Sequence, residues 1–311
     1  MPRVVSFGSV NIDRVAYVDQ STVDGLAATY DWFPAPGETV RVPDGIPPDF
    51  DRHVSETFLG GKGANQAVAA AAADADAALV GTIGDDHDDF GVLAELSGRG
   101  VDTEAVAVVE EEMGTAFVFV TPDGENHIAY YPGANRAATP EHAIRHLDGI
   151  LAANCLLVQN ELPTATTEHL LTSLRDVPDR PTVVVDPAPS TGAARLLDTG
   201  IADVVTPNKH EATLLTDALD GPETVIETRG EDTVVVTDGR RWEVSPPSVT
   251  PVDTTGAGDV FAGYLAARLA AGDDRDRAIR AATTAAALST EHEGVQRAVP
   301  DRSTVTARLH R

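Results

Sequence analysis

The run Asp253-Thr254-Thr255-Gly256-Ala257-Gly258-Asp259 joins a glycine-rich turn to a carboxylate. Val260, Phe261, Tyr264, Leu265 and Leu269 follow at helical spacing, so the turn opens a helix. Unpaired N–H groups at a helix start, aided by the helix dipole, can hold an anion. Gly256, Ala257 and Gly258 let a phosphate approach the backbone, and Asp259 offers a base for a hydroxyl nucleophile. Anion cradle plus base is what phosphoryl transfer to an alcohol requires. The competing reading is a helix capped by Thr254 or Thr255, with Asp259 decorating its first turn.

A second cluster is Gly60-Gly61-Lys62-Gly63-Ala64-Asn65-Gln66. It lacks the spacing of a Walker A loop and of a dinucleotide fingerprint. Its place before a helix allows a polyhydroxylated ligand against the backbone. Asn65 can donate and accept, as sugar hydroxyls require, and Lys62 can meet an anion. A tight turn with Asn65 as a cap is the alternative. Asn11 and Asp13 follow the first strand, and alternation can point both to one side, where Asp13 could accept from adjacent hydroxyls. Glu161 follows another strand in the same way. Asn208 and Glu211, three apart at a helix start, could hold water around Mg²⁺ or simply cap the helix. The histidines show no H-E-x-x-H spacing, which argues against a catalytic zinc site.

The elements that must carry these residues are strands and helices in alternation. Val4–Phe7 reads as a strand, Ala64–Leu79 as a helix and Phe90–Leu96 as a short helix. Pro34, Pro36, Pro43, Pro47 and Pro48 make the Asp19–Phe58 region irregular. Residues 116–120 and 128–131 alternate around Asp123-Gly124, a hairpin signal outside the main series. Strands at 155–158, 182–185, 204–205, 233–236 and 242–244 and helices near 167–174, 193–197, 257–271 and 276–289 complete a largely parallel sheet covered on both faces.

The 311 residues suffice for one large domain, or a large domain with a small partner. A net charge of −26, with Lys62 and Lys209 the only lysines, argues against nucleic acid or an anionic membrane as partner. Acid excess with so little Lys suits a protein kept soluble in very high salt. Cys155 is the single cysteine, so no internal disulfide or thiolate cluster forms. The start lacks the apolar stretch of a secretory signal, and the Ala-rich segment is broken by Asp74 and Asp76. A cytoplasmic location is expected.

Together these pieces resemble the PfkB, or ribokinase-like, family of carbohydrate kinases, from the first strand to about Pro300. Gly60–Ala67 is similar to the family's amino-terminal signature and Asp253–Asp259 to its carboxy-terminal one. The resemblance implies an α/β fold, a three-layer sandwich with a mostly parallel central sheet and a small β-sheet lid. The large domain would comprise 1–13, 60–115 and 134–311, and the lid 14–59 and 116–133. Asp259 falls on the catalytic base, and Gly256, Ala257 and Gly258 on the anion hole. Asn11, Asp13, Gly61, Lys62, Asn65 and Glu161 fall on sugar-contacting positions. Asn208 and Glu211 fall on the motif organising Mg²⁺ and nucleotide phosphates, and Thr228 and Gly230 on the nucleotide loop, where Thr233 replaces a second glycine. Asp253, Thr255, Ser289 and Gly294 match a K⁺ site, with Ala298 replacing a frequent serine.

The activity implied is ATP- and Mg²⁺-dependent phosphorylation of a furanose primary hydroxyl, D-ribose first, by a homodimer joined through its lids. Ribose 1-phosphate or a nucleoside is the alternative, then fructose. The segment Pro43–Arg52 is longer than the usual ribokinase lid. Arg41, Arg52 and His53 could meet a phosphate already on the sugar, or face solvent, and Tyr130 or Trp32 could wall a nucleobase. A sugar sensor without turnover would need a broken base or anion hole, and neither is broken here.

Overall fold

Short apolar strands followed by helices are stable only where each strand is covered on both faces. The computed structural model, which describes residues 1–310 apart from Gly37, Asp44 and Gly124, has this arrangement. The chain runs through β1 (Arg3–Phe7), β2 (Asn11–Tyr17), α1 (Gln20–Thr29), β3 (Thr39–Arg41) and β4 (Glu56–Gly60). Next come α2 (Lys62–Ala72), β5 (Asp76–Gly84), α3 (Val92–Gly98), β6 (Val101–Asp102) and β7 (Val106–Val109). The hairpin β8 (Gly114–Val120) and β9 (Asn126–Tyr131) leads to α4 (Pro140–Arg145) and α5 (Leu147–Leu151). There follow β10 (Cys155–Gln159), α6 (Thr164–Ser173), β11 (Thr182–Asp186), α7 (Ala194–Leu197), β12 (Val204–Val205) and α8 (Lys209–Leu214). The chain ends through β13 (Thr224–Glu227), β14 (Val234–Thr237), β15 (Arg241–Val244), α9 (Ala257–Ala270), α10 (Arg275–Ser289) and α11 (Arg302–Leu309).

The main sheet has the order β15-β14-β13-β12-β11-β10-β1-β5-β6, with β7 also pairing with β5. Its pairs are parallel except β13–β14 and β14–β15. Alternate residues of the same strands enter opposite layers. Val4, Cys155, Leu157 and Val184 pack with α2, α9 and α10. Val5, Phe7, Leu156, Val158, Val183 and Val185 pack with α4 to α7. The result is a three-layer α/β sandwich. Truncating a fully buried central residue such as Leu157 to Ala would cost about 2–5 kcal/mol.

A second sheet has the order β3-β9-β8-β2-β4. It includes Asn11–Asp13 and Gly60, so its strands reach past the domain limits expected at residues 13 and 60. One face is covered by Leu26 of α1 and by Val42 and Phe50, which pack with Phe117, Phe119 and Ala129. Phe50 meets Phe117 at 5.2 Å and Phe119 at 4.9 Å between ring centroids. The long lid segment is therefore anchored behind the sheet by an aromatic cluster. On the other face, strand register aligns Phe58, Asp13, Ala116, Tyr130 and Arg41 in one row.

Several expectations change. The helix expected over Ala64–Leu79 stops at Ala72, because Asp74 turns the chain at φ 66°. Leu79 instead belongs to β5, buried beside β1, where sheet pairing overrides the helical preference of an Ala-rich run. The region after Asp19 is not wholly irregular, since it holds the ten-residue α1, capped by the Asp19 side chain. The helix expected from Phe90 begins at Val92, after a 3₁₀ turn over His87–Phe90. Helix α11 was not expected. The hairpin forms with β8 and β9 antiparallel, while Gly124 of its expected turn lies outside the described residues. Among the described residues no helix is long and apolar enough to cross a membrane.

Candidate active site

In a parallel sheet, loops at the carboxyl ends of the strands converge on one edge. Ser9 follows β1, Gln159 ends β10 with Glu161 two residues beyond, and Asp186 ends β11. Helices α2 and α9 begin at the same place. They approach closely because Gly263 faces α2: a Cβ there would lie 2.4 Å from the Gln66 carbonyl oxygen and 2.5 Å from the Ala69 Cβ. Asp259 lies one turn earlier on the same side of α9, so this contact brings it to the start of α2.

Asp259 is buried and held by three side chains. Asn65 Nδ2 donates to its Oδ2 at 2.9 Å, Gln66 Nε2 donates to its Oδ1 at 3.2 Å, and Lys62 Nζ lies 3.5 Å from Oδ1. Asn65 Oδ1 accepts from Gln296 Nε2 at 3.0 Å, and Gln66 Oε1 accepts from Gln159 Nε2 at 2.7 Å. Every amide in this network thus has a fixed sense. The first residue before α9, Gly256, has φ 72°, and no side chain caps the helix. The capping role weighed for Thr254 or Thr255 is not what these residues do. Thr255 N instead donates to Asp253 Oδ1 at 2.9 Å. The start of a fourteen-residue helix is left open beside Asp259, an arrangement that fits a phosphate.

Glu161 Oε2 accepts from Lys62 N at 3.1 Å and from the Ser9 hydroxyl. Asn11 Oδ1 accepts from Asn135 Nδ2 at 2.8 Å, and Asn135 Oδ1 accepts from Val10 N at 3.0 Å. Gly61 precedes α2 with φ 89° and packs against the backbone at Ser9–Asn11. Asp13 lies over Gly60. Burial, then the charges of Glu161 and Asp259, push the Asp13 carboxyl up to about 7. Burial also raises Glu161, against the opposing pull of Lys62. Burial alone would lower Lys62, but Asp186, Asp259, Glu161 and Glu211 outweigh it and hold the ammonium protonated.

On the opposite side, Asn208 and Glu211 form a reciprocal capping box at α8. Glu211 N donates to Asn208 Oδ1 and Asn208 N to Glu211 Oε2, both at 2.9 Å. Burial raises the Glu211 carboxyl. Thr228 is bridged to Asn208, and Gly230 follows it with φ 63°. Asp253 Oδ2 accepts from Gly294 N at 3.2 Å, so Asp253, Thr255 and Gly294 meet. The Ser289 hydroxyl turns to its own helix and donates to the Ala286 carbonyl, so it is not aimed at that group. Among the described residues no cluster of three His, Cys, Asp or Glu side chains could hold a metal unaided. A Mg²⁺ here would need oxygens from a bound nucleotide, with Glu211 adding one.

The lid residues divide. Trp32 stacks with Tyr30 and Phe50 in the cluster behind the sheet, Arg52 pairs with Asp49, and His53 meets Phe119. Trp32 and His53 are on the packed side, while Arg52 is exposed to solvent. Arg41 and Tyr130 share the row of Asp13.

The family described as "pfkB family carbohydrate kinase" matches residues 51–302. The chain belongs to the pfkB family of carbohydrate kinases. The ribokinase of Bacillus subtilis is 37% identical over 295 residues, covering 90% of this chain and 94% of that one. The ribokinase structure from Thermotoga maritima superimposes with a TM-score of 0.80 at 29% identity, covering 100% of both chains. That of Arabidopsis thaliana ribokinase complexed with ribose and ATP has a TM-score of 0.78 at 27% identity, covering 99% of this chain and 98% of that one. The protein is an ATP-dependent phosphotransferase of this family.

The candidate site also brings in residues to which the sequence reading gave no role: Ser9, Gln66, Asn135, Gln159, Asp186 and Gln296. A signal existed for Asp186, a carboxylate at the carboxyl end of an apolar strand. Gln296 had none, because only the fold brings it to Asn65.

Proposed function

We propose that this kinase transfers the γ-phosphoryl group of ATP to the primary hydroxyl of a furanose, D-ribose giving ribose 5-phosphate. The observation that carries this reading is Asp259 fixed by Asn65, Gln66 and Lys62 beside the uncapped start of α9. Asp13 and Glu161 hold ring hydroxyls, with Asn11, Gly61 and Asn65 completing the acceptor pocket. Asp259 accepts the proton as the sugar oxygen bonds to phosphorus and the bond to ADP breaks. The N–H groups at Gly256, Ala257 and Gly258 stabilise the negative charge on the transferred group. In this reading Asn208, Glu211, Thr228 and Gly230 hold the nucleotide, supported by the capping box and bridge that join them. Bound Mg²⁺ supplies charge neutralisation between the phosphates. K⁺ beside Asp253, Thr255 and Gly294 would order the anion hole. A homodimer through the lids belongs to the same reading, because β3 and β4 leave edges on that sheet.

A second reading, a furanose already phosphorylated at the anomeric carbon, is favoured by one detail. Among the described residues the Tyr130 hydroxyl is buried without a hydrogen-bond partner, and Arg41, next on its row, has no ion-pair partner. An arginine fork suits a phosphate. The test compares kcat/KM for ribose, fructose, ribose 1-phosphate and several nucleosides with MgATP in molar KCl. Preference for ribose supports the first reading. A tenfold preference for ribose 1-phosphate, about 1.4 kcal/mol, replaces it with the second.

A further inference from the structure

Lys62 Nζ lies 3.2 Å from Asp186 Oδ2 and 3.5 Å from Asp259 Oδ1. Gln66 Nε2 repeats the pattern, donating to the same Asp186 oxygen at 2.9 Å and to the same Asp259 oxygen at 3.2 Å. Two donors are each divided between the same two carboxylates. The remaining Asp186 oxygen, Oδ1, accepts from Ala188 N at 3.1 Å. Both oxygens of Asp186 thus accept from protein donors. Its side chain is 7% exposed and that of Asp259 6%, so their charges are poorly screened.

We propose that Asp186 is a positioning residue for Asp259: it draws Lys62 and Gln66 partly away from that carboxylate and adds a like charge nearby, so that Asp259 stays available as a proton acceptor. The inference rests on the reading of Asp259 as the base. A general base works best when its pKa lies near the working pH. An ammonium wholly committed to Asp259 would stabilise its ionised form and weaken it as a proton acceptor. With Asp186 present, one ammonium serves two carboxylates. Burial raises the Asp186 carboxyl, Lys62 opposes this and Asp259 adds to it. The other charged groups facing the cluster are Asp13 from β2, Glu161 after β10 and Glu211 from α8. They remain in place when residue 186 is changed.

The sign follows directly. Asp186→Asn removes a negative charge and leaves Lys62 to Asp259, which weakens that carboxylate as a proton acceptor. The acid limb of kcat should move down by about one pH unit, and the plateau should drop roughly threefold to tenfold, with KM for ATP unchanged. Gln66→Met removes a neutral donor to Asp259 and should move the limb upward. Opposite shifts from two neighbouring substitutions are not produced by general loosening of the site. Carboxyl ¹³C NMR, with the Asp259 signal assigned by its loss in Asp259→Asn, reads the same titration without turnover. A wild-type protein that phosphorylates no acceptor overturns the function proposed above, while the NMR titration still decides this inference. Superimposable Asp259 titrations in wild type and folded Asp186→Asn, or an upward shift in that variant, overturn it. If Asp186→Asn does not fold, an unshifted or downward limb in Gln66→Met overturns it.

Discussion

Asn65 donates from Nδ2 to Asp259 Oδ2 at 2.9 Å, while its own Oδ1 is held by Gln296. One amide thus connects the beginning of α2 to the beginning of α9 and fixes the Asp259 carboxylate, which in the proposed function sets the angle at which it meets an incoming hydroxyl. A single misaligned group at such a point would cost rate more than binding.

Replacing Asp259 by Asn keeps the size and removes the base. Turnover should fall by about 10²–10⁴-fold, while nucleotide binding persists. Steady-state kinetics with nucleotide titration by calorimetry measures both. Unchanged turnover would remove Asp259 from the mechanism.

Asp13 carries a pH signature. Its carboxyl is raised from 3.8 to about 7, by burial first and then by Glu161 and Asp259. Between these values the folded protein keeps a proton that the unfolded chain has released. Stability contributed by Asp13 therefore falls as pH rises through that window and is fully lost above it. Asp13→Asn, neutral throughout, should melt progressively higher than wild type from pH 5 to pH 8, while its KM for sugar rises sharply. A Tm difference that stays flat across this range would contradict the shift.

Gly60 tests the sugar side by shape alone. A Cβ at this position would lie 2.1 Å from Asp13 Oδ2 and 2.4 Å from its Cγ. Gly60→Ala must push Asp13 aside, so KM for the acceptor should rise by an order of magnitude or more, the loss of about one charge-assisted hydrogen bond. KM for ATP should hold. An unaltered acceptor KM would show that Asp13 does not touch the sugar.

Monovalent cation should act specifically. Asp253 joins Thr255 N to Gly294 N beside the start of α9, and in the proposed function a K⁺ there would stiffen both loops. At equal ionic strength, KCl should give a higher kcat than an organic-cation chloride. Equal rates would leave only general screening of the −26 charge.

Local chemistry was legible in the residues themselves. Glycine spacing and the apolar period after Asp259 mark a helix start, because helical geometry is set within a few residues, while the structure decided that neither Thr254 nor Thr255 caps it. Runs such as Cys155–Val158 and Thr182–Val185 mark buried strands for the same reason, and their alternation with helices marks the parallel sheet. Tertiary structure alone decided the rest. Leu79 became strand because β1 offered it partners. Phe50 turned the long lid segment into a cover for the second sheet, through ring contacts with residues far along the chain. Gln159 and Gln296 entered the site because the carboxyl ends of parallel strands and two close-packed helices converge there, and only that convergence gave Asp186 its partners Lys62 and Gln66. Contacts of that kind depend on distance in space, which residue spacing along the chain does not encode.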